Sequence, residues 1–167
     1  WGVVEDVDSG EEAISRVGGF PCVAKKPVGG YDGKGVRISN SWGEMEDWLT
    51  EGAVLIEEKV PFTRELELVS ARRQGGEWVS WLPVETRQVA GVCSEVIAPA
   101  PRMSEGMVQE AGELSKKISV GLEIVGVLAV EVFQLDDDSF VVNELAMRPH
   151  NSGHVFTELS VTSQFEQ

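Results

Sequence analysis

Little of this chain is basic, little of it is cysteine, and none of its apolar runs is long. Each shortage removes a class of function. Two cysteines, Cys22 and Cys93, fall far apart inside strand-like runs, so a disulfide framework is not expected and a reduced, cytoplasmic setting is. No stretch is apolar over the ~20 residues that cross a bilayer, and the start carries no signal-peptide pattern. A membrane is therefore not an expected partner. Fourteen Lys and Arg against 28 Asp and Glu leave a net charge of −14. That argues against nucleic acid, because phosphate backbones need a basic face. A small polyanion stays compatible, since a few local lysines and a divalent cation reverse the field inside one cleft.

What is present is ordinary for a globular protein: 167 residues, 42% apolar and 25% charged, enough for one domain or two small lobes. Trp1 begins without a methionine and "SQFEQ" closes without a Gly or Pro stop, so a piece of a longer protein is expected. Ser9-Gly10-Glu11-Glu12 and Ser41-Trp42-Gly43-Glu44 both fit capping boxes, the second opening a helix with Trp42, Met45, Trp48 and Leu49 on one face. Strands are expected at 20–26, "VRIS", 53–60, "ELELVSARR", "EWVSWLPVE", "GVCSEVIAP", "VGVLAVEVFQL" and "FVVNELAM", with a helix over 104–120. The expected class is α+β in two lobes, residues 1–58 and 59–167.

Between the first two strands lies GGYDGKG, residues 29–35. Asp-Gly is a standard turn signal, so a plain hairpin connection is one reading. The other is a flap over phosphates, with glycines letting backbone N–H groups approach the oxygens and Lys34 adding charge. It is neither a Walker loop, which needs Gly at Val28 and Ser or Thr at Gly35, nor a dinucleotide fingerprint.

The last two strands raise a sharper question. If "DDDS" is the hairpin loop and Leu135 faces Phe140, then Phe133 faces Val142 and Glu131 faces Glu144. Opposed Cβ atoms stand roughly 5 Å apart, so two carboxylates in otherwise apolar strands need compensation. A shared proton, a hard divalent cation such as magnesium helped by Asn143, or a register slip sending one Glu to solvent would each answer it. Asn143 would point to the far face of an ideal strand, so its help requires a twist or bulge. "MRPHNSGH" follows, carrying Arg148, His150, Asn151 and His154. Arg148 offers a planar fork for a carboxylate, bicarbonate or phosphate. Zinc on the two histidines lacks a third ligand and the helical spacing it would need.

Lys25 ending a strand, GGYDGKG, "EEKVPFTREL" (57–66), "VEVF" and "VNELAMRPHNSGH…SQFEQ" together resemble the ATP-grasp domain of the 5-(carboxyamino)imidazole ribonucleotide synthetases, over nearly the whole chain. The resemblance implies an ATP-grasp fold whose two α+β lobes hold the nucleotide between antiparallel sheets. It implies that Lys25 binds the phosphates and that Gly30, Tyr31, Asp32, Gly33, Lys34, Gly35 and Val36 close over them. Glu57, Glu58, Lys59 and Val60 would read adenine through their backbone, and Glu65 would accept from the ribose. Glu131 and Glu144 would hold Mg2+ with Asn143 beside them, and Arg148 and His150 would line the bicarbonate site. The implied activity is ATP- and bicarbonate-dependent carboxylation of aminoimidazole ribonucleotide through carboxyphosphate, in purine biosynthesis, by a homodimer. Gln88 stands where many members carry a nucleotide-contacting histidine, which implies tuning rather than loss. The family's N-terminal and C-terminal domains are missing from the chain, so the fragment alone is expected to be inactive. Another ATP-grasp ligase and a non-catalytic nucleotide-binding module are the rival readings.

Overall fold

The first helix shows how packing overrides a local signal. The computed structural model describes residues 1–30 and 34–167, and the side chains of all of these except residues 7–9. After strand β1 (Gly2–Val4), helix α1 runs Val7–Arg16, so Ser9 lies inside the helix and not at its cap. Gly10 is a packing residue there: a Cβ on it would lie 2.0 Å from the Trp42 ring. The second capping box is also displaced. Ser41 makes no side-chain cap bond, and the Glu44 carboxylate instead accepts from the Asn40 backbone N–H at 2.7 Å. A 3-10 turn (Trp42–Glu44) then leads into α2 (Glu46–Glu51).

Strands β2 (Cys22–Lys25), β3 (Val36–Ser39) and β4 (Val54–Glu58) complete a four-stranded antiparallel sheet in the order β1-β4-β2-β3. Its core is Val4, Ala13, Ile14, Val17, Cys22, Ala24, Met45, Trp48, Val54 and Ile56, all at most 9% exposed. Trp42 and Leu49 pack against it, so the expected apolar face of the second helical segment is the one buried. These elements form one compact unit, Trp1–Pro61 with Ala90–Val92.

The other unit, Phe62–Val89 with Cys93–Gln167, is built on β5 (Arg64–Arg72), β6 (Trp78–Ser80), β7 (Val84–Val89), β8 (Val92–Ile97), β9 (Gly126–Gln134) and β10 (Phe140–Ala146). The sheet order is β10-β9-β5-β7-β8, with β6 pairing β5. "EWVSWLPVE" is therefore two strands rather than one, because Pro83 has no N–H to give a ladder. Helix α3 (Glu105–Gly121) is capped by Ser104, whose hydroxyl accepts from the Met107 N–H at 3.2 Å. Strand alternation sends Leu66, Leu68, Leu128, Val130 and Val132 to the α3 side, against Ala111, Leu114 and Ile118.

The opposite face of β5 and β9 divides. Val69, Ala71, Val127 and Ala129 are covered by Phe156 of the short α4 (Phe156–Leu159). Further along the same face the alternation places acids.

Candidate functional site

Three glutamates meet on that part of the face. Glu67 of β5 is directly opposite Glu131 of β9, and Glu131 is directly opposite Glu144 of β10. The Glu131–Glu144 apposition matches the sequence reading, by a different route. The hairpin pairs Gln134 with Phe140 and Phe133 with Val141, not Leu135 with Phe140 and Phe133 with Val142. A bulge between Val142 and Glu144 then absorbs the one-residue difference. Without it, Glu144 would face the α3 layer. The bulge also brings Asn143 to the acid side, where its Nδ2 donates to Glu131 Oε2 at 3.3 Å.

Glu67 is the residue the sequence reading missed. "ELEL" shows the alternation, but only the β5–β9 pairing, which the sequence does not display, aims Glu67 at the pair. It is 2% exposed, and its Oε1 has no hydrogen-bond partner. Burial, then the charges of Glu131 and Glu144, push its carboxyl up to about 9. His150 completes the cluster: its Nδ1 lies 3.5 Å from Glu67 Oε1 and its Nε2 3.5 Å from Glu131 Oε1. Burial, with Arg148 and His154 adding to it, pulls the imidazole below its usual range, so the ring is neutral near pH 7. His150 Nδ1 also lies 2.9 Å from Ser152 Oγ. Arg148 is exposed, donates NH1 to the Pro149 carbonyl at 3.0 Å, and acts electrostatically on both Glu67 and His150.

Among the described residues, Glu67, Glu131 and His150 each offer an atom within 4.8 Å of the others, a group able to hold a cation. His154 does not join it: its ring packs against Phe165 at 5.4 Å. A 3-10 turn runs Asn151–Val155, but His150 before it is extended, at φ −115° and ψ 151°, so the helical i,i+4 spacing of the two histidines is not formed.

A carboxyl held above its ordinary value weakens the fold once the unfolded chain ionises. The penalty is absent below the unfolded value near 4.3, grows as pH rises, and is complete only above about 9. Glu67→Gln is therefore expected to raise the melting temperature of the metal-free full-length protein at pH 7.5. The expected shift is about 4–8 °C, the effect of roughly 2 kcal/mol in a domain of this size. The gain should shrink towards pH 5. Parallel melting curves across pH 5–8.5 would show that the carboxyl carries no such penalty.

The remaining predicted positions fall into two groups. In the first unit, Lys25 Nζ lies 2.7 Å from Glu57 Oε2, so the strand-end lysine and the first residue of 57–60 are neighbours. Glu58 ends β4, and Lys59 and Val60 follow it. Val36 pairs with Lys25 and is 47% exposed; Lys34 is exposed. Gly30 and Gly35 make the neck of the loop. A Cβ on Gly30 would sit 2.9 Å from the Lys34 carbonyl, and Gly35 has φ +85°, a left-handed conformation that favours glycine. The Lys26 N–H donates to the Gly35 carbonyl at 2.8 Å. Tyr31, Asp32 and Gly33 lie outside the described residues. In the second unit, Glu65 accepts a hydrogen bond from the Gln88 side chain, while burial holds its carboxyl above the usual range. Both line a cleft of about 620 Å³ that includes Phe62, Thr86 and Ser94, a volume in the range of small-ligand sites.

Residues 1–165 match the ATP-grasp domain family. The chain belongs to the ATP-grasp family. This ATP-grasp chain is 47% identical over 173 residues to the N5-carboxyaminoimidazole ribonucleotide synthase of Corynebacterium ammoniagenes, covering 98% of this chain and 42% of that protein. It superposes with a TM-score of 0.90 on an N5-carboxyaminoimidazole ribonucleotide synthetase solved with ADP, at 36% identity, over 99% of this chain and 44% of that one. The Aspergillus clavatus enzyme, solved with ADP and 5-aminoimidazole ribonucleotide, gives 0.85 at 30% identity over 98% and 42%. The ATP-grasp chain thus spans about two fifths of the length of the relatives it matches. Among the described residues, no helix is long and apolar enough to cross a membrane.

Proposed function

We propose that this ATP-grasp chain carries the nucleotide and bicarbonate chemistry of an N5-carboxyaminoimidazole ribonucleotide synthase, a cytoplasmic homodimer of purine biosynthesis. One observation carries the reading: Glu131 and Glu144 stand face to face across β9 and β10, with Arg148 and His150 at the end of the same hairpin. A structural sheet has no use for crowded acids beside an arginine fork. The facing carboxylates of Glu131 and Glu144, beside a Glu67–Glu131–His150 group able to hold a cation, support a divalent cation here. Glu131 and Glu144, with Asn143 beside them, would hold Mg2+, and the ion would disperse phosphoryl charge when bound.

Bicarbonate would attack the γ-phosphorus of ATP, the bond to the β–γ bridging oxygen would break, and carboxyphosphate and ADP would form. Lys25, with the loop from Gly30 to Val36, neutralises and encloses the phosphates. The backbone of Glu57 to Val60 reads the adenine, and Glu65, positioned by Gln88, accepts from the ribose hydroxyls. Arg148 holds bicarbonate in place with two parallel donors, against the repulsion of the Glu131 and Glu144 carboxylates. Neutral His150 borders the same anion. The amine of aminoimidazole ribonucleotide then attacks the carboxyl carbon, phosphate leaves, and the amine nitrogen gives up a proton. Enclosure keeps water from the labile intermediate.

ADP release by the full-length parent protein tests this. Release that requires both bicarbonate and aminoimidazole ribonucleotide is the expected result. Release indifferent to the imidazole nucleotide would assign the chemistry to another acceptor, as in a different ATP-grasp ligase. No nucleotide turnover with any acceptor would leave a binding module.

A further inference from the structure

We infer that Gln164, through the turn Ser163–Glu166, is a positioning residue that sets the place of His150. The inference rests on the reading of His150 as a border of the bicarbonate site. After Ala146 the sheet ends, and Pro149 has no N–H, so the backbone of residue 150 has lost its strand partners. The Gln164 side chain replaces them, while the Gly153 N–H also donates to the His150 carbonyl at 3.0 Å. Gln164 Oε1 accepts from the His150 N–H at 2.9 Å and its Nε2 donates to the His150 carbonyl at 2.7 Å. One amide thus grips both polar groups of a single residue and holds it extended, at φ −115° and ψ 151°. Gln164 is 1% exposed, which makes the two bonds costly to lose.

The surrounding residues serve the same grip. The Glu166 carboxylate accepts from both the N–H and the hydroxyl of Ser163 at 2.8 Å, fixing the turn from which Gln164 projects. Phe165 packs on His154. Gly153 leaves room for the amide: a Cβ there would lie 2.5 Å from Gln164 Oε1. The ring of His150 is steered between Glu67 and Glu131 because its main chain is held from behind. "SQFE" and "PHNSGH" are therefore two halves of one clasp.

The test uses the full-length parent protein with Gln164→Leu, of similar size but unable to make either bond. Two readouts are taken. The first is kcat/KM for bicarbonate, expected to fall about 100-fold, as misplacement by roughly 1 Å does, with ATP affinity within twofold. The second is the rate of diethyl pyrocarbonate modification of His150, read by peptide mass spectrometry against His154, and expected to rise severalfold. Gln164→Glu, which accepts from the His150 N–H but does not donate to its carbonyl, should fall between wild type and Leu in both. It also serves if the Leu variant does not fold. Equal loss of ATP binding and bicarbonate use, or a His150 modification rate unchanged in both variants, overturns the inference. Should wild-type turnover prove independent of bicarbonate, the proposed reaction fails, and the modification rate still decides the clasp.

Discussion

Arg148→Ala is expected to lower bicarbonate-dependent ADP release by about 10³-fold, the scale at which a charge-stabilising donor is lost, while ATP affinity stays within twofold. The reason is electrostatic. Glu67, Glu131 and Glu144 are directly opposed across three strands, and an anion approaching them meets the repulsion of the Glu131 and Glu144 carboxylates. Arg148 offsets that repulsion: it already acts on Glu67 and His150, and its NH1 donates to the Pro149 carbonyl. A lysine keeps the charge and loses the fork, so Arg148→Lys should recover only part of the rate. Steady-state ADP release beside calorimetric titration with ATP separates the outcomes. A collapse of ATP binding would mean that Arg148 serves the nucleotide instead.

Glu144→Gln is expected to raise the magnesium concentration that half-saturates ATP binding by about 100-fold, since altering even the groups around metal ligands costs 10–100-fold. The loss should be largest at limiting magnesium. A magnesium titration of nucleotide binding that overlays the wild-type curve would remove Glu144 from the metal site.

The parts of the site legible in the sequence were those carried by one hairpin. Glu131 and Glu144 were paired correctly because two miscounts cancelled: the loop is offset by one residue and the bulge restores it. Local pattern could place Lys25 at a strand end and a helix beginning near residue 104 for the same reason, since neighbours along the chain decide both. Glu67 could not be read, because it reaches the cluster through β5–β9 pairing, and no short-range signal reports which distant strands meet. The capping boxes failed at Ser9 and Ser41 because tertiary packing outranked them. Gly10 sits in the helix to admit Trp42, and Glu44 capped a different N–H from the one its spacing indicated. Gln164 was legible as a motif letter, while its work at His150 depends on how the chain end folds back on residue 150.

The bulge at Asn143 bears on how such a hairpin tolerates insertion and deletion. In a regular ladder, one added residue rotates everything beyond it to the wrong face. Here the pairs Phe140–Gln134 to Val142–Val132 run in one frame and Glu144–Glu131 to Ala146–Ala129 in the next, so a single extra residue is confined to one position. A chain lacking Asn143 alone would form an unbroken ladder with Glu144 still facing Glu131. The amide is thus an addition that the two acids do not require for their own placement. A lineage could acquire or discard it in one codon without disturbing the core on either side.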